Sequence, residues 1–324
     1  MKRAVFWKKE KNGLRCNLCP HNCFIKQEKR GICKTRENKD GVLFSLNYGK
    51  VVALHVDPIE KKPLYHFFPG SQILSYSCWG CNFKCKFCQN WEISQREIKV
   101  PFVPPKEIVK RSKNTLGVAH TYTEPTIYYE FAFDVAKLVK KSGGKNVFVT
   151  NGYIEQKPLK KILPFIDAIN IDLKSFDDSF YKKICAGSLE PVLSSIKTMV
   201  GRVWVEITNL IIPGFNDDLG RIKEMCEWIA DLDNKIPLHF SAFYPSYRML
   251  DVPQTSLNIL KKAKEIGKKA GLKYVYLGNV IEDNNTYCPN CGFPVVERDY
   301  MGVKKINMKE GLCPKCGLKQ DFVF

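Results

Sequence analysis

Fourteen cysteines occur in 324 residues, and twelve of them fall into three groups. Cys16, Cys19, Cys23 and Cys33 lie near the start. Cys78, Cys81, Cys85 and Cys88 form a continuous run. Cys288, Cys291, Cys313 and Cys316 lie near the end, leaving Cys185 and Cys226 alone. Grouped thiols are suited to metal binding or redox chemistry, whereas cysteines used as small core residues scatter. A disulfide framework belongs to short exported domains. This chain is long, and its first residues, MKRAVFWKKEKNG, hold an apolar stretch of only Ala4 to Trp7, too short for a signal peptide. No run approaches the roughly 20 apolar residues of a membrane helix. A cytoplasmic protein with reduced, metal-binding thiols is the expectation.

The central run is the most specific. Cys81-Asn-Phe-Lys-Cys85-Lys-Phe87-Cys88 is a C-x3-C-x2-C pattern, three thiolates from one loop. A cubane [4Fe–4S] cluster normally takes four thiolates. Three leave one iron open, as a catalytic metal site requires. A structural zinc site completed by Cys78 is the alternative, but zinc knuckles usually come as separated C-x2-C pairs. Cys81, Cys85 and Cys88 are therefore expected to ligate, and Cys78 is not.

The flanking groups also carry four thiols each. Cys16, Cys19, Cys23 and Cys33 fit either a zinc knot that pins a turn-rich segment or an auxiliary Fe–S cluster, with His21 beside the ligands rather than among them. In the tail, Cys288-Pro-Asn-Cys291-Gly and Cys313-Pro-Lys-Cys316-Gly are paired knuckles. They read as a zinc ribbon, with a rubredoxin-like iron site as the alternative. Cys226, beside Trp228 in a helical stretch, reads as core. Cys185 also reads as core by default, and its place after Asp172-Leu-Lys174, on the loop side of the barrel, makes it a candidate catalytic thiol.

These groups need elements to position them. QILSYS, LGVAHTY, NVFVTN, AINIDL, VWVEITNLII, LHFSAF and YVYLG are short runs rich in β-branched and aromatic residues. Helical spacing lies between them, as at 125–142, 216–231 and 255–270. Repeated strand–helix units predict an α/β fold with a parallel sheet and helices outside, a full or partial barrel. The alternative is an open doubly wound sheet, but CWGCNFKCKFC stands where its glycine fingerprint would follow the first strand. Three regions are expected: a Cys-rich segment over 1–70, the barrel over 71–279 and a ribbon-like tail over 280–324. The cysteine loop directly follows the first predicted barrel strand, at the end where barrel active sites lie.

C-x3-C-x-aromatic-C, with Phe87 in the aromatic slot, resembles the signature of the radical S-adenosylmethionine (SAM) superfamily. The resemblance implies a partial (β/α)6 barrel, a [4Fe–4S] cluster on Cys81, Cys85 and Cys88, and SAM on the open iron. One electron then splits SAM into methionine and a 5′-deoxyadenosyl radical, which abstracts hydrogen from a substrate. Further motifs follow at successive predicted strand ends. Tyr122-Thr-Glu124-Pro125 resembles the Gly-Gly-Glu-Pro segment that holds the SAM amino group, with Tyr122 and Thr123 in place of two glycines. Thr150-Asn151-Gly152 and Asp172-Leu-Lys174 resemble segments of the pyruvate formate-lyase activating enzymes. The resemblance implies cofactor-binding roles for Phe87, Glu124, Asn151, Asp172 and Lys174: Lys174 for the SAM carboxylate, Asp172 for ribose hydroxyls. Ile212-Pro-Gly-Phe-Asn-Asp217-Asp218 resembles an activating-enzyme turn, but Leu219-Gly-Arg221 stands where a histidine would follow. Over most of the chain, Asp57-Pro-Ile-Glu-Lys-Lys-Pro-Leu-Tyr-His66, Cys88-Gln-Asn-Trp91 and His239-Phe-Ser-x-Phe-Tyr-Pro245 resemble the AmmeMemoRadiSam-system radical SAM proteins. That resemblance implies AMMECR-type and Memo-type partners and an electron donor such as ferredoxin or flavodoxin. It implies no substrate.

The chain carries 51 basic and 33 acidic residues, a net charge of +18. Segment 1–70 alone contributes +9, while the tail is balanced. Such an excess admits an RNA-modifying radical SAM enzyme. The lysines at 261–269, however, sit on amphipathic helical stretches, where a solvated surface is the simpler reading. A non-catalytic metal-binding adaptor is the third class. The favoured expectation is an activating-enzyme-like radical SAM oxidoreductase.

Overall fold

The computed structural model describes residues 1–299 and 302–324. Seven parallel strands lie side by side in chain order: Gln72–Cys78, Gly117–His120, Lys145–Thr150, Ala168–Asp172, Trp204–Ile211, Leu238–Ala242 and Val275–Gly278. They coincide with the seven apolar runs. Helices intervene where helical spacing predicts them. Tyr129–Lys141 buries Phe131, Ala132, Val135, Ala136 and Val139 along one stripe. Leu219–Asp233 begins where the Asp218 carboxylate accepts from the Arg221 N–H, and it buries Ile222, Met225, Cys226 and Ile229. Cys226 is therefore core, as expected.

The strand order never reverses. Right-handed crossovers in one direction put every helix on the same face of the sheet. The sheet rolls into a partial barrel with helices outside; a doubly wound sheet would reverse its order at a switch point. The strand Val51–Pro58 pairs antiparallel with Gln72–Cys78 at one edge. It does not pair with Val275–Gly278 at the other edge, so the barrel is open. The barrel sheet thus begins at Val51, inside the region expected to be a separate segment. Its sequence, VVALHVDP, lacks the alternation that marks a half-buried strand.

The chain between these two antiparallel strands enters the barrel. Asn170 Nδ2 donates to the Pro63 carbonyl (2.8 Å). Glu206, fully buried, accepts the backbone N–H groups of Tyr65 (2.9 Å) and His66 (2.8 Å), the Trp204 indole (3.0 Å) and His239 Nε2 (2.7 Å). These donors hold Glu206 below the usual carboxylate range although burial alone pushes it up. Residues 63–66 therefore plug the barrel near the start of its strands.

The two ends of the chain pack at opposite ends of the barrel. Residues 1–50 form two small antiparallel sheets, Trp7–Glu10, Gly13–Cys16 and Phe24–Ile25 in one, Lys2–Arg3, Val42–Ser45 and Arg36–Lys39 in the other. A buried ion pair, Arg36 to Glu130 at 2.6 Å, ties them to the helix Tyr129–Lys141. The tail folds as a three-stranded sheet, Thr286–Tyr287, Pro294–Asp299 and Gly302–Ile306. It caps the plugged end. Val323 pairs with Phe67, and His66 Nδ1 donates to the Asp321 carbonyl (2.7 Å). His66 Nε2 then accepts from Tyr276 Oη (2.6 Å), which accepts from Thr286 Oγ1 (2.7 Å). Among the described residues no helix is long and apolar enough to cross a membrane.

Candidate active site

The strand Gln72–Cys78 ends in a turn through Gly80, and the cysteine loop starts there. Gly80 sits at φ +104°, and a Cβ added to it would meet Thr35 Cγ2 at 2.4 Å. Glycine is required both by the backbone angle and by the close approach of the N-terminal segment. The loop is then pinned on its far side. The Lys84 N–H donates to the Cys185 carbonyl (2.7 Å) and the Lys86 N–H to that of Ile184 (3.1 Å), on the wide helical turn Tyr181–Cys185.

Cys81, Cys85 and Cys88 line one cavity of ≈ 610 Å³ at the open end of the barrel. Phe87, Glu124, Asn151, Asp172 and Lys174 line the same cavity. All eight residues expected from the motifs are thus brought together from four strand ends. Burial pushes the Cys81 and Cys88 thiols up. Cys85 is pushed up first by a hydrogen bond with Cys185 and then by burial. Buried thiols of this kind ionise only with a cation beside them. The donor set is three soft thiols on one loop, opening on a cavity with polar walls. It fits a cluster with one iron left for a ligand. Cys78 is fully buried in its strand and does not line the cavity.

The opposite wall is prearranged by hydrogen bonds. Glu124 accepts from the Thr126 N–H (3.0 Å), Thr150 Oγ1 (2.8 Å) and the Asn151 N–H (2.8 Å). Burial nevertheless raises its carboxyl above the usual range. Asn151 Nδ2 donates to Asn82 Oδ1 (2.8 Å), which joins the Thr-Asn-Gly turn to the cysteine loop. Lys174 Nζ pairs with Asp172 at 3.0 Å and stands 5.6 Å from the Phe87 ring centre. Burial opposes the charged lysine, but Asp172 and the Cys85 thiol outweigh it and hold Lys174 well above its ordinary value. Asp172 and Lys174 thus form one ion pair on the wall rather than two separate contacts. Asn216 fixes that wall from behind. Its side chain accepts from the Ile212 N–H (2.6 Å) and donates to the Lys174 carbonyl (2.6 Å).

Tyr122 takes the place of a glycine in the motif, and its backbone does what glycine would do: φ is +62°. That angle is strained for a tyrosine. Its hydroxyl donates to Asp57, whose other partners are Lys62 (2.7 Å) and Lys61 (2.9 Å). Lys61 and Lys62 reach the cavity floor. Sequence reasoning assigned no site role to Asp57, Lys62, Asn82 or Asn216. The signal for the first two is an acid followed by two lysines at i+4 and i+5, uninterpretable before the antiparallel strand is known.

Cys185 follows its core reading and not its catalytic one. It is fully buried and absent from the cavity wall. It packs behind Cys85, which seals it from any molecule in the cavity. A catalytic contact with substrate does not fit that position.

The flanking cysteines differ from one another. The four tail sulfurs lie within 4.8 Å of one another. Cys288 and Cys316 are 3.6 Å apart, as are Cys291 and Cys313. Both knuckles repeat one geometry, with Gly292 and Gly317 at φ +70° and +73°. This is a four-thiol site for a single ion. Cys16, Cys19, Cys23 and Cys33 instead line a closed cavity with His21, Arg36 and Ile127. His21 is not needed as a ligand: Nε2 donates to the Asn82 carbonyl (2.9 Å), and burial holds the ring below its usual pKa.

Comparison with known proteins settles the family. The model of the radical SAM superfamily matches residues 78–229, from the end of the first parallel strand into the helix Leu219–Asp233. The chain carries a radical SAM superfamily domain. An uncharacterised protein of Methanocaldococcus jannaschii is 47% identical across 100% of both chains. The pyruvate formate-lyase-activating enzyme of Staphylococcus epidermidis is 24% identical, over 62% of this chain and 88% of its own. Among solved structures, Streptococcus suis SuiB bound to S-adenosylmethionine aligns with a TM-score of 0.51 and 15% identity, over 68% of this chain and 53% of its own. The radical SAM barrel is thus shared at the level of fold.

Proposed function

We propose that the chain is an activating-enzyme-like radical SAM oxidoreductase that cleaves S-adenosylmethionine reductively and abstracts hydrogen from a substrate. One observation carries this reading: three thiols of a single loop share a cavity with Glu124, Asn151, Asp172 and Lys174. When bound, a [4Fe–4S] cluster and SAM supply one electron and a C–S bond that yields to it, leaving a carbon radical.

The chain's own residues do the rest. Cys81, Cys85 and Cys88 would each hold one iron of the cluster. Glu124, kept in place by three donors, presents its carboxylate to the SAM ammonium. Lys174 offers a charge-assisted bond to the SAM carboxylate, which competes with Asp172 for the same ammonium. Asp172 is then freed toward the ribose hydroxyls. Phe87 keeps water from the loop side of the cavity. Electrons come from a small iron–sulfur or flavin protein of the ferredoxin or flavodoxin class. The test is anaerobic incubation of the reduced protein with SAM and cell extract, following 5′-deoxyadenosine and deuterium transferred into it from labelled candidates. Formation of 5′-deoxyadenosine supports the reading. Its absence with cluster-replete protein overturns it.

A further inference from the structure

We propose that Cys16, Cys19, Cys23 and Cys33 hold a second [4Fe–4S] cluster, ligated by all four thiolates, that relays electrons to the SAM-binding site. Spacing is the first argument. Among the described residues the tail is the one group that closes on a single-ion position, with all four sulfurs within 4.8 Å of one another. The N-terminal sulfurs stand instead around one closed cavity. Cys81, Cys85 and Cys88 likewise line a cavity of their own. Thiols set around a gap suit a cubane, in which each thiolate binds a different iron.

Environment is the second argument. The cavity wall besides the sulfurs is Leu18, His21, Ile25, Gly31 and Ile127, with the Arg36 guanidinium as its buried cation. Cys16 and Cys19 are buried, and Cys23 and Cys33 half-buried. Four neutral thiols contribute little to a core that could have held leucines. Four thiolates there need a metal centre. A fourth cysteine leaves no iron of the cluster open for a ligand such as SAM.

Placement is the third argument. Ile127 lines this cavity, and Glu124, three residues earlier, lines the SAM cavity. Three residues span at most about 10 Å, so the two sites sit back to back across one short turn, Pro125–Tyr128. His21 bonds to the carbonyl of Asn82, which follows Cys81, and the Lys84 ammonium is influenced by both Cys81 and Cys33. That separation is short for electron tunnelling. In the relay, one electron leaves the second cluster as it goes from [4Fe–4S]1+ to 2+ and enters the SAM-binding cluster, which goes from 2+ to 1+. A one-electron iron–sulfur or flavin donor restores the first. No proton or bond changes partner.

The relay rests on the radical SAM reading; the cluster itself does not, and the test keeps them apart. The full chain carrying Cys81→Ala, Cys85→Ala and Cys88→Ala is purified anaerobically and assayed for iron, zinc and acid-labile sulfide. About four irons and about four sulfides per chain are expected, with an EPR signal after dithionite. Sulfide separates this outcome from a lone iron or zinc in the tail. Metal without sulfide, or no metal beyond one tail ion, overturns the proposal, whatever the wild type does with SAM. In the fully reduced wild type, the two paramagnetic clusters should broaden each other's EPR signals. Sharp signals that are the sum of the two single-site variants would overturn the relay.

Discussion

Two four-cysteine units flank the barrel, and they dock at opposite ends of it. The N-terminal unit rests against the open end, with Cys33 and Thr35 touching the Gly80 turn and His21 bonded to Asn82. The tail rests against the plugged end, with Asp321 and Val323 bonded to His66 and Phe68. One unit shares a wall with the reactive cavity; the other shares a buried hydrogen-bond network with the plug. The same count of thiols thus serves two purposes, and position in the fold distinguishes them better than the cysteine spacing does.

The sharpest division between the ends is chemical. Cys85→Ala should abolish SAM cleavage, because only two thiolates would remain in the loop. Cys78→Ala, which removes a thiol buried outside the cavity, should leave cleavage in place. Measuring 5′-deoxyadenosine for both variants decides it, and loss of the cluster in Cys78→Ala would break the assignment of the open end.

The plugged end is tested by acid. Burial holds His66 at about 4, below its ordinary 6.5, and so keeps the ring neutral in the fold. The unfolded chain takes up the proton first. Stability is therefore fully present above about pH 6.5 and falls as pH drops toward about 4, by about 3 kcal/mol for this group. His120, also buried and lowered, to about 3, adds to the same limb. The melting temperature between pH 7 and pH 4.5 should drop, and His66→Gln should flatten the slope while lowering the plateau. An unchanged slope in that variant would remove His66 from the network.

At the open end, Lys174→Ala deletes one charge-assisted bond. A loss of about 1.5–3 kcal/mol corresponds to a tenfold to hundredfold weaker SAM affinity. Equilibrium binding to the cluster-replete protein measures it, and wild-type affinity would place the SAM carboxylate elsewhere.

The smallest effect is expected from the tail. Cys288→Ala with Cys313→Ala should release the tail ion, seen by metal analysis, yet leave the iron of the central loop and SAM cleavage nearly unchanged. A collapse of cleavage with a protein electron donor, but not with dithionite, would make the tail an electron relay and erase the contrast between the two units. Removing everything after Asn285 is a harsher change. It takes away Arg298 and Asp321, which bond to Tyr65 and His66, so it should also lower the melting temperature.

The parts of this molecule that are local in sequence were legible from it. Seven strands, their helices, three cysteine groups and the strand-end motifs each rest on residues a few positions apart. The strand Val51–Pro58 was not legible, because its mostly apolar, half-exposed residues carry no alternation. The Asp57–Lys62–Tyr122 cluster was not legible either; it exists only once that strand pairs and Tyr122 accepts a left-handed backbone. Cys185 was legible as core; its position after Asp172-Leu-Lys174 on the loop side suggested a catalytic thiol as well, but it is buried against Cys85 and absent from the cavity wall. The metal at Cys16, Cys19, Cys23 and Cys33 depends on sulfur spacing in space, and separation along the chain does not give that.

The bond from His66 to the Asp321 carbonyl joins residues 255 positions apart. A ribosome delivers the chain from one end, so His66 is made long before its partner exists. Until residues 321–323 emerge, the plug lacks its cap and the buried imidazole lacks a place for its proton. Contacts that bridge so much chain form late and slowly. Full burial of the plug therefore waits for residues 321–323 to be made, and a chain terminated before them would present an uncapped barrel floor to proteases.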